Sequence, residues 1–526
     1  MDIFKRSKFV HLTVGEMLFY AYWIIMCFVK AVGWYEGMAS YNICLVLSLF
    51  FICLKIIFEK HSVKELVLIA SVLGLGGVIY LHSGEKAPLI YIFLMVGMLH
   101  IPVKRVFRLG LIVWSFCFLY RALAGITGLS RGMALVHEKL GLGPVLRWSF
   151  GYPHPNVMHI TYAVLTAFIL YLTKKKGKEL LRLLFFLFVG NVYVFFYSVS
   201  YTGFLLTTLC LVTFYYFAAR KEISRLEKAG IICLFPACII FSVLGPVLTG
   251  EGSLLEQFGP FLNQLLNSRF NASRVYLWNG IHLFGCRPEA GNFALDCSYV
   301  YILIKDGLVF TLLVGGIYFL LICHCVKKKK WKKAALILAF SVAGISEPFL
   351  FNSSFKNLIF VFAGEFIYEI IHPEQEGKSY RFGVGWAEKK MELPVFDLQK
   401  INIKMKNIYL KKRWMIIIAG ILSGFVIVAI YASMVPTPES IFVGAGNTDC
   451  GEREEIYLDQ AALPDDFNGL IYEYQGVDSP LYKFDGNLVR LERIRDLTGF
   501  WLIGNFAGAG ILLSILYLRE GKEDEV

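Results

Sequence analysis

Apolar runs of membrane-spanning length recur almost from end to end of the chain, separated by short polar connections. A helix crossing a bilayer needs ~20 mostly apolar residues. The pattern predicts fourteen spans, at 10–29, 38–58, 65–82, 87–101, 106–126, 156–172, 181–198, 202–219, 229–249, 306–326, 334–350, 356–371, 414–434 and 498–518. The main interruption before residue 372 is a polar segment at about 250–297. Lipid-exposed loops are not tolerated in hydrocarbon, so this segment belongs outside the bilayer or in a water-filled cavity.

Basic residues fix the expected orientation. Lys5, Arg6 and Lys8 precede the first span, and every second connection is then basic: Lys60/Lys64, Lys104/Arg105/Arg108, Lys174 to Lys178, Arg220 to Lys228, and Lys327 to Lys333. Short alternate connections are nearly free of Lys and Arg. This places both termini on the cytoplasmic side, and 127–155 and 250–297 outside. MDIFKRSKFV runs into a full-length span with no small-residue cleavage site, so a retained first span is expected.

Three regions follow. Residues 1–371 form a twelve-span core and 372–413 a basic cytoplasmic linker. Residues 414–526 form a two-span hairpin around an acidic outward segment, 435–497, with Asp449, Glu452, Glu454, Glu455, Asp459, Asp465 and Asp466. That segment is too small to have much of a core. KINIKMKNIYLKKRW, ahead of the hairpin, would favour anionic headgroups.

Composition agrees: 57% of residues are hydrophobic and mean hydropathy is +0.59. The class is an all-α polytopic membrane protein. The net charge of +12 sits in the connections and does not point to nucleic acid. Most cysteines fall inside spans as small apolar residues, although Cys286 and Cys297 can pair or stay free.

The long loop carries Arg269, Arg274, Arg287, His282 and Asp296. Arginine suits multidentate phosphate recognition. Arg269 and Arg274, five apart, would diverge by ~140° on a regular helix. Contacts to headgroups or loop carboxylates explain both equally well. Asp296 can accept a proton from an attacking hydroxyl or cap the next helix. In RWSFGYPHPN (147–156), Arg147 is a further phosphate candidate, and two prolines present His154 at the outer face as base, phosphate contact or structural residue. Glu347 in SEPFLFN, Arg121 and Glu365 are ionisable groups at or within spans, which marks a functional site unless snorkelling or a private ion pair explains them. No Walker A motif, HExxH, metal-spaced Cys/His cluster or nucleophile elbow occurs. No cofactor is expected.

GYPHPN, LLNSRF, the LFG turn at 283–285, LDCSYVYILIKDG and ISEPFLFN, in this order among the spans, resemble the O-antigen polymerase and ligase superfamily. The likeness is to its Wzy-like form in capsule and exopolysaccharide clusters of Firmicutes, and covers about 10–371. It implies a type-C glycosyltransferase fold that joins polyprenyl-diphosphate-linked oligosaccharides outside the cytoplasmic membrane, in a pathway that also has a flippase and a chain-length regulator. Arg269 matches the family's loop arginine, and Asp296 lies where related ligases carry a histidine. SVSYTGF puts Tyr201 where the family often has an arginine, so one phosphate contact is lost or supplied by Arg274. The expectation is a polymerase using Arg269, Arg274 and Arg147 on the diphosphate, Asp296 as base, His154 as a second contact and Glu347 in reserve. Ligation to another acceptor and lipid-linked oligosaccharide flipping are the competing readings.

Overall fold

The computed structural model describes residues 8–130, 134–139, 143–266, 268–288, 294–371, 381–395, 398–438, 440–444, 457–458, 471–474 and 477–523. The chain is predominantly helical, and each of the fourteen expected spans contains helix. Eleven helices among the described residues are long and apolar enough to cross a membrane. The other three, Ala87–Gly97, Trp331–Ala343 and Ile359–Ile371, have 11, 13 and 13 residues. At ~1.5 Å per residue they fall short of a hydrocarbon layer of ~30 Å.

These short helices lie inside the bundle. Ile90–Ile92, Ala334–Ile337 and Ile359–Ala363 are buried. The helices Val14–Val32 and Pro155–Leu172 are also mostly buried, whereas Ala39–Phe58 and Gly177–Ser198 expose Ile43, Val46, Phe50, Phe185 and Phe186. The protein surrounds the irregular backbone beyond the short helices, notably at 344–358, which is the condition for tolerating such backbone at membrane depth.

One end of the bundle is tied by strands. Lys8–Thr13 pairs antiparallel with Lys390–Val395, and His61–Ser62 with Arg381–Phe382. The 381–395 part of the linker thus docks at the same end of the bundle as the N-terminal segment. Three of the described helices that start at that end carry capping boxes: Thr13 with Glu16, Ser62 with Glu65 and Ser224 with Glu227.

The long loop and the 127–155 connection lie at the opposite end. The loop contains helices at Gly259–Leu265 and Arg269–Trp278, then returns as Ser298–Tyr301 and a single π turn, Ile302–Asp306. Its closure explains the LFG and KDG motifs. Cys286 N–H donates to Ile304 O (3.1 Å), Leu308 N–H to His282 O (2.9 Å) and Val309 N–H to Leu283 O (3.1 Å). Gly285 (φ +78°) and Gly307 (φ +92°) sit back to back where the two segments touch. A Cβ on Gly285 would lie 2.0 Å from the Lys305 carbonyl oxygen. Gly285→Ala should therefore destabilise the protein by ~2 kcal/mol or more, through left-handed strain plus a backbone clash. Gly280→Ala (φ +84°, no atom within 4 Å of the new Cβ) should cost only the strain, ~1–2 kcal/mol. Thermal unfolding in detergent compares the two.

In the C-terminal hairpin, Leu398–Met434 and Asn487–Glu523 pack antiparallel on one another. Gly420, Gly424, Gly504 and Gly508 make the contact: a Cβ on Gly504 would lie 2.8 Å from Gly424 Cα. Small residues four apart let membrane helices approach this closely. Between the helices the acidic segment forms a four-stranded antiparallel sheet, in the order 457–458, 440–444, 477–485, 471–474. Asp449, Glu452, Glu454, Glu455, Asp459, Asp465 and Asp466 lie outside the described residues.

Candidate functional site

Three acid–base groups from distant parts of the chain meet where the long loop returns to the bundle. Arg269 opens its helix, with Ser268 before it in a left-handed conformation (φ +61°). Its Nη2 lies 3.2 Å from Asp296 Oδ2 and 3.6 Å from Glu347 Oε1, and Nη1 donates to Leu266 O (3.3 Å). Arg269 Nε is buried without a hydrogen-bond partner among the described residues.

Ser298 brings the two carboxylates together. Its N–H donates to Gly344 O (2.9 Å) and its hydroxyl to Glu347 O (2.5 Å), while Leu350 N–H donates to that hydroxyl (3.2 Å). This stitches the end of the loop to the SEP turn. Asp296 does not cap the next helix: the capping position is Cys297, without a side-chain cap. Glu347 is held hard: Thr202 Oγ1 and Asn156 Nδ2 (3.3 Å) both donate to its Oε1, and its side chain is 8% exposed. Asp296 is 37% exposed and has Arg269 as its ion-pair partner. Burial pushes the Asp296 carboxyl above the usual aspartate range, and the adjacent guanidinium pulls it part of the way back.

The other expected residues are placed differently. Arg274 points away from Arg269, as their spacing implies. Its Nε donates to Pro246 O (2.9 Å), near the end of the Arg225–Leu248 helix, whose last carbonyls lack intrahelical partners. Arg147, 2% exposed, gives Nε to Ser198 O (2.7 Å) and Nη2 to Asn156 Oδ1 (2.6 Å). It holds Asn156 against Glu347 and does not line the adjacent cavity described below. Burial lowers its guanidinium to about 10, still cationic at neutral pH. His154 is the N-cap of Pro155–Leu172, and its Nδ1 accepts the Asn156 N–H (3.1 Å). Arg121 donates to Val32 O (2.7 Å), Glu365 pairs with Lys333, Arg287 donates to Ser83 O (3.1 Å), and His282 is exposed. Cys286 and Cys297 are free thiols. Thr202, next to Tyr201, reaches Glu347.

Sequence reasoning passes over Asn156, Thr202 and Ser298, uncharged residues with no signal beyond their neighbours. It also passes over two lysines. A cavity of about 260 Å³ beside Glu347 is lined by Lys30, Glu36, Pro153, Asn352 and Lys356 among others. Lys30 and Lys356 are 6% and 4% exposed. Lys30 lies over the Tyr41 ring (4.0 Å) and Lys356 Nζ donates to Val157 O (3.2 Å). Among the described residues neither forms an ion pair, while Glu36 pairs with Lys86 (3.1 Å). The lining thus brings two buried lysines and two carboxylates, Glu36 and Glu347, to one cavity.

No family model, no curated protein and no solved structure matches the chain. The many apolar helices fit a multi-pass membrane protein.

Proposed function

We propose that this protein polymerises polyprenyl-diphosphate-linked oligosaccharides at the outer face of the cytoplasmic membrane. The observation that carries the reading is the Arg269–Asp296–Glu347 cluster, with a guanidinium nitrogen unpartnered among the described residues, whose Glu347 also lines a cavity with two buried lysines. Supporting it is the position of that cluster at the sparsely basic end of the bundle, which the charge pattern assigns to the outside.

A sugar on a lipid diphosphate already has a good leaving group. The site must orient donor and acceptor, stabilise the leaving diphosphate and remove one proton. Arg269, Lys30 and Lys356 are the cations for the diphosphate; the lysines take the place of the arginine missing at Tyr201. The acceptor hydroxyl oxygen attacks the anomeric carbon, and the bond from that carbon to the phosphate oxygen breaks. The diphosphate leaves with the electron pair, and the hydroxyl proton passes to Asp296. Glu347, tethered by Asn156 and Thr202, orients Arg269.

Only the Asp296 carboxylate accepts the proton, and its pKa is raised. As pH falls, the inactive acid form therefore takes over sooner than for an ordinary aspartate. The pH–rate profile should show an acid limb displaced upward, and Asp296→Asn should abolish that limb and slow transfer ~10²-fold or more. An unchanged limb in the Asn variant would remove Asp296 as base.

The test of the function is reconstitution in proteoliposomes with a polyprenyl-diphosphate oligosaccharide. A ladder of lengthening glycans is expected. Transfer to a different acceptor without a ladder would make the protein a ligase, and movement of the lipid without any new bond would make it a flippase.

A further inference from the structure

The hairpin 398–523 touches the site's supporting strand, and no step of the proposed mechanism uses it. The strand Gly143–Trp148 holds Arg147, and alternation along a strand sends neighbouring side chains to opposite faces. Arg147 faces the site. Trp148 faces the hairpin, where its indole N–H donates to Glu492 Oε2 (2.9 Å). Arg495, one turn on from Glu492 and ion-paired with it, is 2% exposed. Its Nη1 donates to Leu146 O (3.0 Å) and its Nε to Phe196 O (2.8 Å), and its own carbonyl accepts the Tyr197 hydroxyl (2.5 Å).

Two arginines thus cap one helix end. The last carbonyls of Gly177–Ser198 lack intrahelical partners. Arg495 takes Phe196 O from the hairpin side, and Arg147 takes Ser198 O from the site side. Between them, Leu146 and Trp148 are both fixed by the hairpin. From Arg147 the contacts continue to Asn156, then Glu347, then Arg269. At the close approach itself, a Cβ on Gly499 would lie 2.6 Å from Ile126 and 3.1 Å from the Tyr197 hydroxyl.

We infer that Arg495, with Glu492, is a positioning residue: the hairpin sets the place of strand 143–148 and, through Arg147 and Asn156, the place of Glu347. The outward sheet between the two hairpin helices is thereby mechanically connected to the site. The geometric coupling stands by itself; its effect on turnover rests on the polymerase reading.

The experiment uses the full chain in lipid nanodiscs, as wild type, Arg495→Gln, Arg495→Lys and Glu492→Gln. Amide hydrogen exchange is read at 144–150 and 345–352, with 8–13 and 390–395 as the control for intact folding. Arg495→Gln and Glu492→Gln should raise exchange at both site segments by about tenfold and leave the controls unchanged, and Arg495→Lys should restore part of the protection. With a polyprenyl-diphosphate oligosaccharide donor, kcat should fall ~10-fold or more in the Gln variants with KM within about twofold, as expected for a displaced reacting group. Raised exchange confined to 487–498, or wild-type kcat in both Gln variants, would overturn the inference. If wild type itself builds no glycan, the exchange result still decides the coupling, and the polymerase reading alone fails.

Discussion

Arg269→Ala should abolish long polymer while leaving the protein inserted at its normal level. The substitution removes a permanently charged donor that faces two carboxylates and has one nitrogen unpartnered among the described residues. Loss of a single charge-stabilising donor of this kind typically slows the chemical step ~10²–10³-fold. The effect should fall on kcat more than on KM, because charge on the diphosphate grows as the bond breaks. Arg269→Lys keeps a charge but not the planar fork, so partial activity is expected. Polymer length on gels and single-turnover rates measure both effects. Full-length glycan from Arg269→Ala would take this residue out of the mechanism.

Glu347 should show the second-largest effect, and its variants should divide by chemistry. Glu347→Ala leaves the Thr202 hydroxyl and the Asn156 amide without their acceptor in a buried site, at ~1–3 kcal/mol for each group. It should lower both stability and activity. Glu347→Gln keeps an oxygen for Thr202 and Asn156 but removes the charge that orients Arg269, so stability should hold while transfer slows ~10²-fold. The acid limb of the pH profile should persist in Glu347→Gln, since Asp296 carries it. Loss of the limb there, with retention in Asp296→Asn, would exchange the roles of the two carboxylates.

Much of the fold is legible in the sequence, because apolar runs and basic connections are long, repeated signals. Each of the fourteen runs holds a helix. The lengths of three were not legible: Ile345, Phe349, Leu350 and Phe351 continue an apolar pattern after helix 331–343 has ended. Hydropathy registers burial, and residues enclosed by protein read like residues facing lipid. The hairpin packing had a signal in GILSG and GNFAG, glycines four apart in each helix, that hydropathy does not weigh.

For the site, the sequence supplies the charges but not their partners. Arg269, Asp296 and Glu347 stand out because ionisable groups are rare near a membrane. That they meet depends on contacts between residues 269, 296 and 347, and on Ser298 joining two segments. Arg274 and Arg147 look identical to Arg269 by type. Their guanidinium groups go to helix-end carbonyls, whose need for donors appears only once the helix ends are placed. Lys30 lies at the end of an apolar run and Lys356 at the start of one; burial singles them out, and burial is not written locally.

The most direct measurement of the central claim is the count of polyprenyl diphosphate released per glycosidic bond formed, with purified protein in proteoliposomes. The mechanism requires one diphosphate lipid for each new bond, with both products falling together in Arg269→Ala. New glycosidic bonds without that release, or a lipid-linked donor that crosses the bilayer unconsumed, would contradict it.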